Sequence, residues 1–482
     1  MKADIDQIPD GLVAVVKREC PTCELVAPVL VELAERGIDL TVYSQDDPSF
    51  PPGVKAVVDD IDLSVSYRLG VTTVPTLLRV ARGAEAERVE GWRRDQWETM
   101  TGQTGLGAGL PEYRPGCGSR TLDPGVADAL AVRFGGGRLG ARRVELAELE
   151  DTFEAMFERG WTDGLPVVPP TEARVLRMLD GTTRDPDEVV AVVPPDLVEC
   201  TVEKVAINAV LAGCKPEYLP VVLAAVEAAC TDEFNAHGVL ATTYFVGPVV
   251  IVNGPIARAI GMNSGVNAFG QGNRANATIG RALQLVIRNV GGGRPGEVDR
   301  AMLGNPGKYT FCFAEDEEGS PWEPLSVERG MPPGTSTVTL FAGEGPRGVN
   351  DQLSRDPSSL SRSLAACLRS VSHPKLVGAN DAMLVVGPEH GRVFREAGWT
   401  KGRLRSELQD LLQIPGAEIV RGAAGMAAGV PERLAGQTLA KFRPSGLLIA
   451  HAGGRAGLFS AIIGGWVSGP EGSEPVTREV VR

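Results

Sequence analysis

Apolar and polar positions follow two periods along this chain, and each change of period marks the edge of an element. The run Leu12 to Val16 reads as a buried strand, and the segment after it sets Leu25, Val26, Val29, Leu30 and Leu33 on one face of a helix. Asp39 to Ser44 is a second strand and Ile61 to Leu69 a short helix. Leu77 to Val80 and Arg88 to Glu90 form a hairpin about Ala81-Arg82-Gly83-Ala84, and Arg94 to Gln103 supplies a closing helix. Residues 1–108 therefore make one domain. From Thr104 to Pro124 Gly and Pro interrupt both periods, and a helical pattern returns at Glu145 to Glu158, so 109–150 read as a linker and connecting helix.

Further on, the prolines and glycine between Trp161 and Thr171 exclude a helix, and Thr171 is placed to cap a helix over Glu172 to Leu179. Helices follow at Val202 to Ala212 and Pro220 to Cys230. Val249 to Val252 is a strand, Asn263 to Asn276 is dense in Gly and Asn, Ala277 to Asn289 is a helix, and Thr310 to Phe313 is a strand. The last third alternates: strand Ala382 to Val386, helices Glu389 to Ala397 and Arg403 to Leu412, strand Gly446 to Ala450. Such alternation favours an α/β fold with ligand loops at strand C-terminal ends. The expected class is α/β, with a larger α/β region of one or two domains: a Gly/Asn-rich central domain at 151–345 and an α/β domain at 346–482.

Composition narrows the function. With 482 residues, a formal charge of -13 and 48 basic residues spread thinly, the chain lacks the concentrated basic face that nucleic acid demands. An anionic surface also argues against membrane adsorption, no apolar run is long enough to span a bilayer, and Met1 to Asp6 has no secretory h-region. A cytoplasmic location is expected. Eight cysteines with one close pair do not form a secreted disulfide framework.

That pair, Cys20-Pro21-Thr22-Cys23, stands where a strand feeds a helix. Helix N-terminal amides and the dipole favour thiolate at Cys20, the expected attacking sulfur, while Cys23 comes round the first turn to resolve a mixed disulfide. Half of a zinc site has the same spacing, but zinc needs two more ligands, and the sequence has no second Cys-x-x-Cys and no His-x-x-x-His. Transfer to a partner held in the larger region requires the pair to be reachable; sulfurs sealed from solvent, or holding zinc with no open face, would require that transfer to be abandoned. With Val71-Thr72-Thr73-Val74-Pro75-Thr76 running into a strand, residues 1–108 resemble the thioredoxin superfamily. The resemblance implies a thioredoxin-like domain in which Pro75 is cis, faces the cysteines and helps bind substrate. Glu19 stands where thioredoxin has Trp, and proline comes first between the cysteines, as in glutaredoxins.

Residues 150–482 resemble the UGSC family, some members of which carry selenocysteine. The stretches responsible are Gly160-Trp161-Thr162-Asp163-Gly164-Leu165-Pro166 through Thr171, Val386-Gly387-Pro388-Glu389-His390 with Gly398-Trp399-Thr400-Lys401, and the Gly-rich strand end at His451. This resemblance implies a thiol or selenol setting. The tetrapeptide Cys117-Gly118-Ser119-Arg120 has cysteine in place of selenocysteine and arginine in place of the final cysteine.

Other candidate groups lie downstream. Gly270-Gln271-Gly272-Asn273-Arg274 before a helix suits an anion site, with Arg274, Asn263 and Asn276 holding a carboxylate or phosphate; a packed Gly-rich turn explains it equally. Lys308, Tyr309, Cys312 and Glu315 lie across one strand and its exit loop, and alternation turns Cys312 toward a pocket that Glu315 enters, unless the cysteine is simply buried. His390 and His451 each follow a strand, where α/β folds place ligand groups.

The leading expectation is an intracellular thiol-dependent redox enzyme. Cys20 and Cys23 supply electrons to a fused domain that binds a small-molecule substrate beside Cys312 or Cys117, and an external thiol reductant or reductase restores the dithiol. No metal or other cofactor is expected. The alternatives are a hydrolase or lyase built on Glu315 and a histidine, with the N-terminal domain a passenger, and a thiol chaperone or metal-delivery protein.

Overall fold

A computed structural model describes residues 8–55, 57–82, 84–134, 139–147, 150–422, 428–469 and 471–481. The chain divides into two compact units, Met1–Arg138 and Leu139–Arg482. Both combine helices with sheets of parallel and antiparallel strands, an α/β architecture.

In the first unit β1 (Gly11–Val16) leads into α1 (Pro21–Glu35), β2 (Leu40–Ser44), β3 (Val57–Asp59) and α2 (Ser64–Arg68). Then come β4 (Thr73–Val74), β5 (Thr76–Ala81), β6 (Ala84–Glu90), β7 (Trp92–Arg93), α3 (Arg94–Thr101), β8 (Tyr113–Arg114), β9 (Cys117–Gly118) and α4 (Val126–Phe134). The main sheet has the order β3-β2-β1-β5-β6, with β1 parallel to β2 and antiparallel to β5. A strand covered on both faces has no polar side to present, which is why Leu12 to Val16 is an unbroken apolar run and lies at the centre. Cys23, Val26, Leu30 and Leu33 recur at helical spacing and form the buried side of α1. The hairpin β5–β6 forms as expected, although Gly83 of its turn lies outside the described residues.

The stretch 104–124 is not a linker. It folds back on the first unit: β8 pairs with β7 and β9 with β4, and the buried Trp92 indole donates to the Pro111 carbonyl at 2.6 Å. Phe134 of α4 stacks at 6.2 Å on Tyr67 of α2, so this unit extends well past residue 108. The helix expected from Glu145 begins at Thr152, where the Asp151 carboxylate accepts the Phe153 amide at 2.8 Å. Of its expected residues, Glu148 and Leu149 lie outside the described set.

The second unit is built on an eight-stranded sheet. Six of its strands run in the order Cys312–Ala314, Gly247–Asn253, Thr337–Gly343, Phe459–Val467, Asn380–Val386, Leu447–His451, with Arg347–Asn350 paired to Phe459–Val467 and Val476–Glu479 to Thr337–Gly343 off this path. Two half-sheets meet at Gly343 opposite Gly465, where a Cβ on Gly343 would lie 2.7 Å from Ile463 Cγ2. The expected boundary at 345/346 falls beside this seam but does not separate domains. Val476–Glu479 crosses back to pair with Thr337–Leu340, and Val249, Ile251, Phe341, Met383, Val385 and Ile463 form one apolar core shared by both halves. The alternate residues Val250 and Val252 pack under the helices Val202–Ala212, Leu219–Ala229 and Arg274–Asn289, while Leu384 and Val386 pack under Pro357–Arg369 and Lys401–Leu411. No helix among the described residues is long and apolar enough to cross a membrane.

Candidate functional site

Cys20 is the N-cap of α1, with extended backbone and its sulfur accepting the Cys23 amide at 3.3 Å. Pro21 follows it, where a missing amide costs no helical bond. The hydrogen bond from the Cys23 thiol is the largest cause that brings Cys20 down from 9.0 to about 5. Burial opposes it, and the Cys117 thiol and the amides of Cys23 and Thr22 reinforce it. Cys23 moves the opposite way, pushed up first by burial and then by the neighbouring Cys20. A pair of thiols with one ionised and one held neutral suits nucleophile and resolving roles, because the second sulfur attacks only after the first has formed a bond. All eight cysteines are free thiols in this structure.

The third sulfur was not foreseen at this place. Antiparallel pairing sets Cys117 opposite Val74, beside the cis peptide Val74-Pro75, and the Val74 carbonyl lies 3.5 Å from Cys20 Sγ. Lys17 donates to the Gly118 carbonyl at 2.7 Å and the Ser119 amide to the Thr72 carbonyl at 3.0 Å. Buried Gln45 donates to the Ser119 hydroxyl at 2.7 Å and accepts the Arg120 amide at 3.1 Å. Gly116 passes so close to β4 that a Cβ there would meet Thr73 Cγ2 at 2.3 Å and the Val74 oxygen at 2.8 Å. The tetrapeptide Cys117-Gly118-Ser119-Arg120 is thus part of a strap over the dithiol. Cys20 is 1 % and Cys23 0 % exposed, while Cys117 is half-buried. The open face expected of the pair is covered, so direct exchange with a partner docked on Cys20 is not available in this conformation. The spacing of Cys117 from the pair carries no signal of this, because the pairing that joins them is between strands distant in sequence.

The second unit separates the residues that sequence reasoning grouped. Cys312 faces the helix Arg274–Asn289, 5 % exposed, and burial raises its thiol; it lines apolar core and not a pocket. Glu315 instead enters a polar cluster, accepting Asn253 Nδ2 at 2.7 Å, the Leu325 amide at 2.7 Å and the His451 amide at 3.3 Å. Lys308 is ion-paired with Asp299 at 2.7 Å, and Tyr309 is 46 % exposed. Neither is among the hydrogen-bond partners of Glu315. The Asn276 side chain accepts the Asn263 amide at 3.0 Å and donates to the Asn263 carbonyl at 2.8 Å, which closes the Gly-rich turn. Arg274 turns away from them to cap the Gly213 carbonyl at 2.9 Å. The anion site expected of all three is therefore not assembled. Arg274 lies at a cavity of about 200 Å³ together with Arg174, Arg177 and Lys215.

His390 is buried and bonded at both ring nitrogens, to Ser460 Oγ at 2.8 Å and the Asp351 carbonyl at 3.2 Å, as a core histidine would be. His451 differs: Nδ1 faces the Asp316 carbonyl at 3.3 Å, and Nε2 is buried with no partner among the described residues. Lys401, 1 % exposed, is likewise without a hydrogen bond there, its nearest acid being Glu328 at 3.4 Å. Trp322 donates to the Trp399 carbonyl at 2.8 Å and pins the loop after Glu315 to the Trp399-Thr400-Lys401 turn. Asn253, Glu315 and His451 lie at or just beyond the C-terminal ends of their strands. Burial raises Glu315 and lowers His451. Lys401 and Asn253 were not singled out by the sequence, although Lys401 closes a stretch that carried the family resemblance. The Asp163 of Gly160 to Thr171 is structural: Arg281 grips it with two bonds of 2.8 Å. Among the described residues no group of three His, Cys, Asp or Glu side chains is arranged to hold a metal ion.

No model of a known protein family matches this chain, and no curated protein matches it either.

Proposed function

We propose that the chain is a thiol–disulfide oxidoreductase whose thioredoxin-like N-terminal unit reduces a small disulfide substrate. The observation that carries the reading is the unequal dithiol at the start of α1, with Cys20 held near 5 by hydrogen bonds and Cys23 held up by burial. In the reaction a thiolate attacks a substrate disulfide and expels one thiolate. Cys23 then attacks Cys20, the second substrate thiolate leaves, and the Cys20–Cys23 disulfide stores the two oxidising equivalents. Two external thiols return the pair to the dithiol and are themselves oxidised to a disulfide. Full-length Cys20→Ser is expected to lose reduction of an aromatic disulfide such as dithionitrobenzoate; wild-type rates in that variant remove the electron-transfer role.

A second reading, a hydrolase or lyase in the larger unit, is supported by the burial of Glu315 beside His451 and Lys401. Burial raises the Glu315 carboxyl and lowers the His451 imidazole, opposite displacements that suit an acid–base pair. Substrate turnover lost in Glu315→Gln but kept in Cys20→Ser favours this reading over the first.

A further inference from the structure

The dithiol is covered by a segment of its own unit, and that segment carries a thiol. We propose that Cys117 is the port of a three-sulfur relay: it attacks a small external disulfide, passes the bond to Cys20, and Cys23 closes the cycle. The inference rests on the redox reading above and adds the route by which electrons leave a buried pair.

Three independent features carry it. The first is register: Cys117 stands directly opposite Val74, whose carbonyl touches the Cys20 sulfur. The Cys117 thiol is also one of the groups that hold Cys20 below its ordinary value. The second is fastening. Thr22, inside the Cys-x-x-Cys, donates to the Pro115 carbonyl at 2.7 Å, and Lys17 and Gln45 hold the other side of Cys117. A strap that merely filled space would not need bonds from the reactive turn itself. The third is exposure, because Cys117 alone of the three reaches solvent. An open cavity of about 580 Å³ adjoins the strap at Thr73, Pro115 and Gly116, one residue before Cys117, which does not itself line it.

The steps balance. Cys117 attacks R–S–S–R, forming Cys117–S–S–R, and its proton passes to the departing sulfur, which leaves as RSH while Cys20 stays a thiolate. The Cys20 thiolate attacks the Cys117 sulfur, forms Cys20–Cys117 and expels the second RS⁻. Cys23 attacks Cys20, loses its proton to that RS⁻ and frees Cys117 as a thiolate. The sum is one substrate disulfide reduced to two thiols and one dithiol oxidised to Cys20–Cys23, with Cys117 regenerated.

The test uses the full-length chain with dithionitrobenzoate and with oxidised glutathione. In Cys23→Ser the relay stops at its second bond, so oxidised glutathione is expected to leave a Cys20–Cys117 disulfide, found by peptide mass spectrometry without reduction. Cys117→Ser keeps the strand and is expected to lose at least about tenfold in disulfide reduction, while Cys20 and Cys23 still form their own disulfide under a strong oxidant. Cys117→Ser turning over at the wild-type rate, or Cys23→Ser giving only a glutathione adduct on Cys20, overturns the relay and leaves the dithiol reading standing. A wild-type chain that reduces neither disulfide overturns both.

Discussion

The hydroxyl of Thr22 donates to the carbonyl of Pro115 across 2.7 Å, tying a residue between the two cysteines to the strap that covers them. Thr22→Val keeps the shape and removes the donor to a half-buried carbonyl. The first unit is expected to lose about 1 kcal/mol, read as a lower urea midpoint, together with faster alkylation of Cys20. An unchanged alkylation rate would mean that the bond does not hold the strap.

Gly116→Ala tests the same closure from the other side. Its Cβ has no room against Thr73 and Val74, both part of a paired strand that cannot yield cheaply. The strap is expected to lift and Cys20 to react with an uncharged alkylating agent about tenfold faster, a shift of ~1.4 kcal/mol in the closing equilibrium. Protection equal to wild type would show that the strap is not the cover.

Thiolate absorbance of the reduced chain is expected to rise through about pH 5, and this step is expected to be missing in Cys20→Ser. The folded value lies below the ordinary 9.0, so ionisation of Cys20 favours the folded state. That contribution is complete above pH 9, shrinks as pH falls and is gone below about 5. Urea midpoints of wild type and Cys20→Ser, both reduced, should therefore converge as pH is lowered across this window. A constant gap between them would refute the low value.

The larger unit carries two opposite slopes. His390 is lowered from 6.5 by burial, so the unfolded chain takes up a proton that the folded one refuses, and stability falls as pH drops below 6.5. Glu315 is raised from 4.5 by burial; its contribution is present below 4.5 and lost as pH rises through the raised value. His390→Gln should flatten the acid-side loss and Glu315→Gln the loss on raising pH. Denaturant midpoints across the range check both, and identical profiles in all three proteins would dismiss the assignments.

Lys401 is a buried cation whose ammonium has no hydrogen bond among the described residues and whose nearest acid, Glu328, is also held by Arg405. Removing such a charge relieves desolvation, so Lys401→Met is expected to stabilise the second unit by about 1 kcal/mol. If the cluster is catalytic, the same variant loses turnover. Destabilisation by Lys401→Met would make the lysine a structural ion-pair partner.

Elements were legible where local pattern decides them. Leu12 to Val16 and Ala382 to Val386 are apolar runs whose only stable use is a covered strand, and the helices Val202–Ala212 and Lys401–Leu411 show their buried faces in the order of residues. Cys20 and Cys23 were legible for the same reason, since three residues along a helix start fix what each sulfur meets. Cys312 and Glu315 misled because alternation tells which residues share a face but not what covers that face: one meets the helix Arg274–Asn289 and the other Asn253 and His451.

The amino-acid order alone therefore determined the strands, the helices and the reactive pair, because each depends on neighbours within a turn or two of chain. Tertiary structure alone decided that 115–119 closes over that pair, and that Glu315, Asn253 and His451 share one buried cluster. Those outcomes depend on hydrogen bonds and burial between segments far apart in sequence, such as Val74 with Cys117 and Glu315 with His451, and composition at either partner does not name the other. A Gly- and Pro-rich stretch reads as a linker until a strand edge is found for it to pair with.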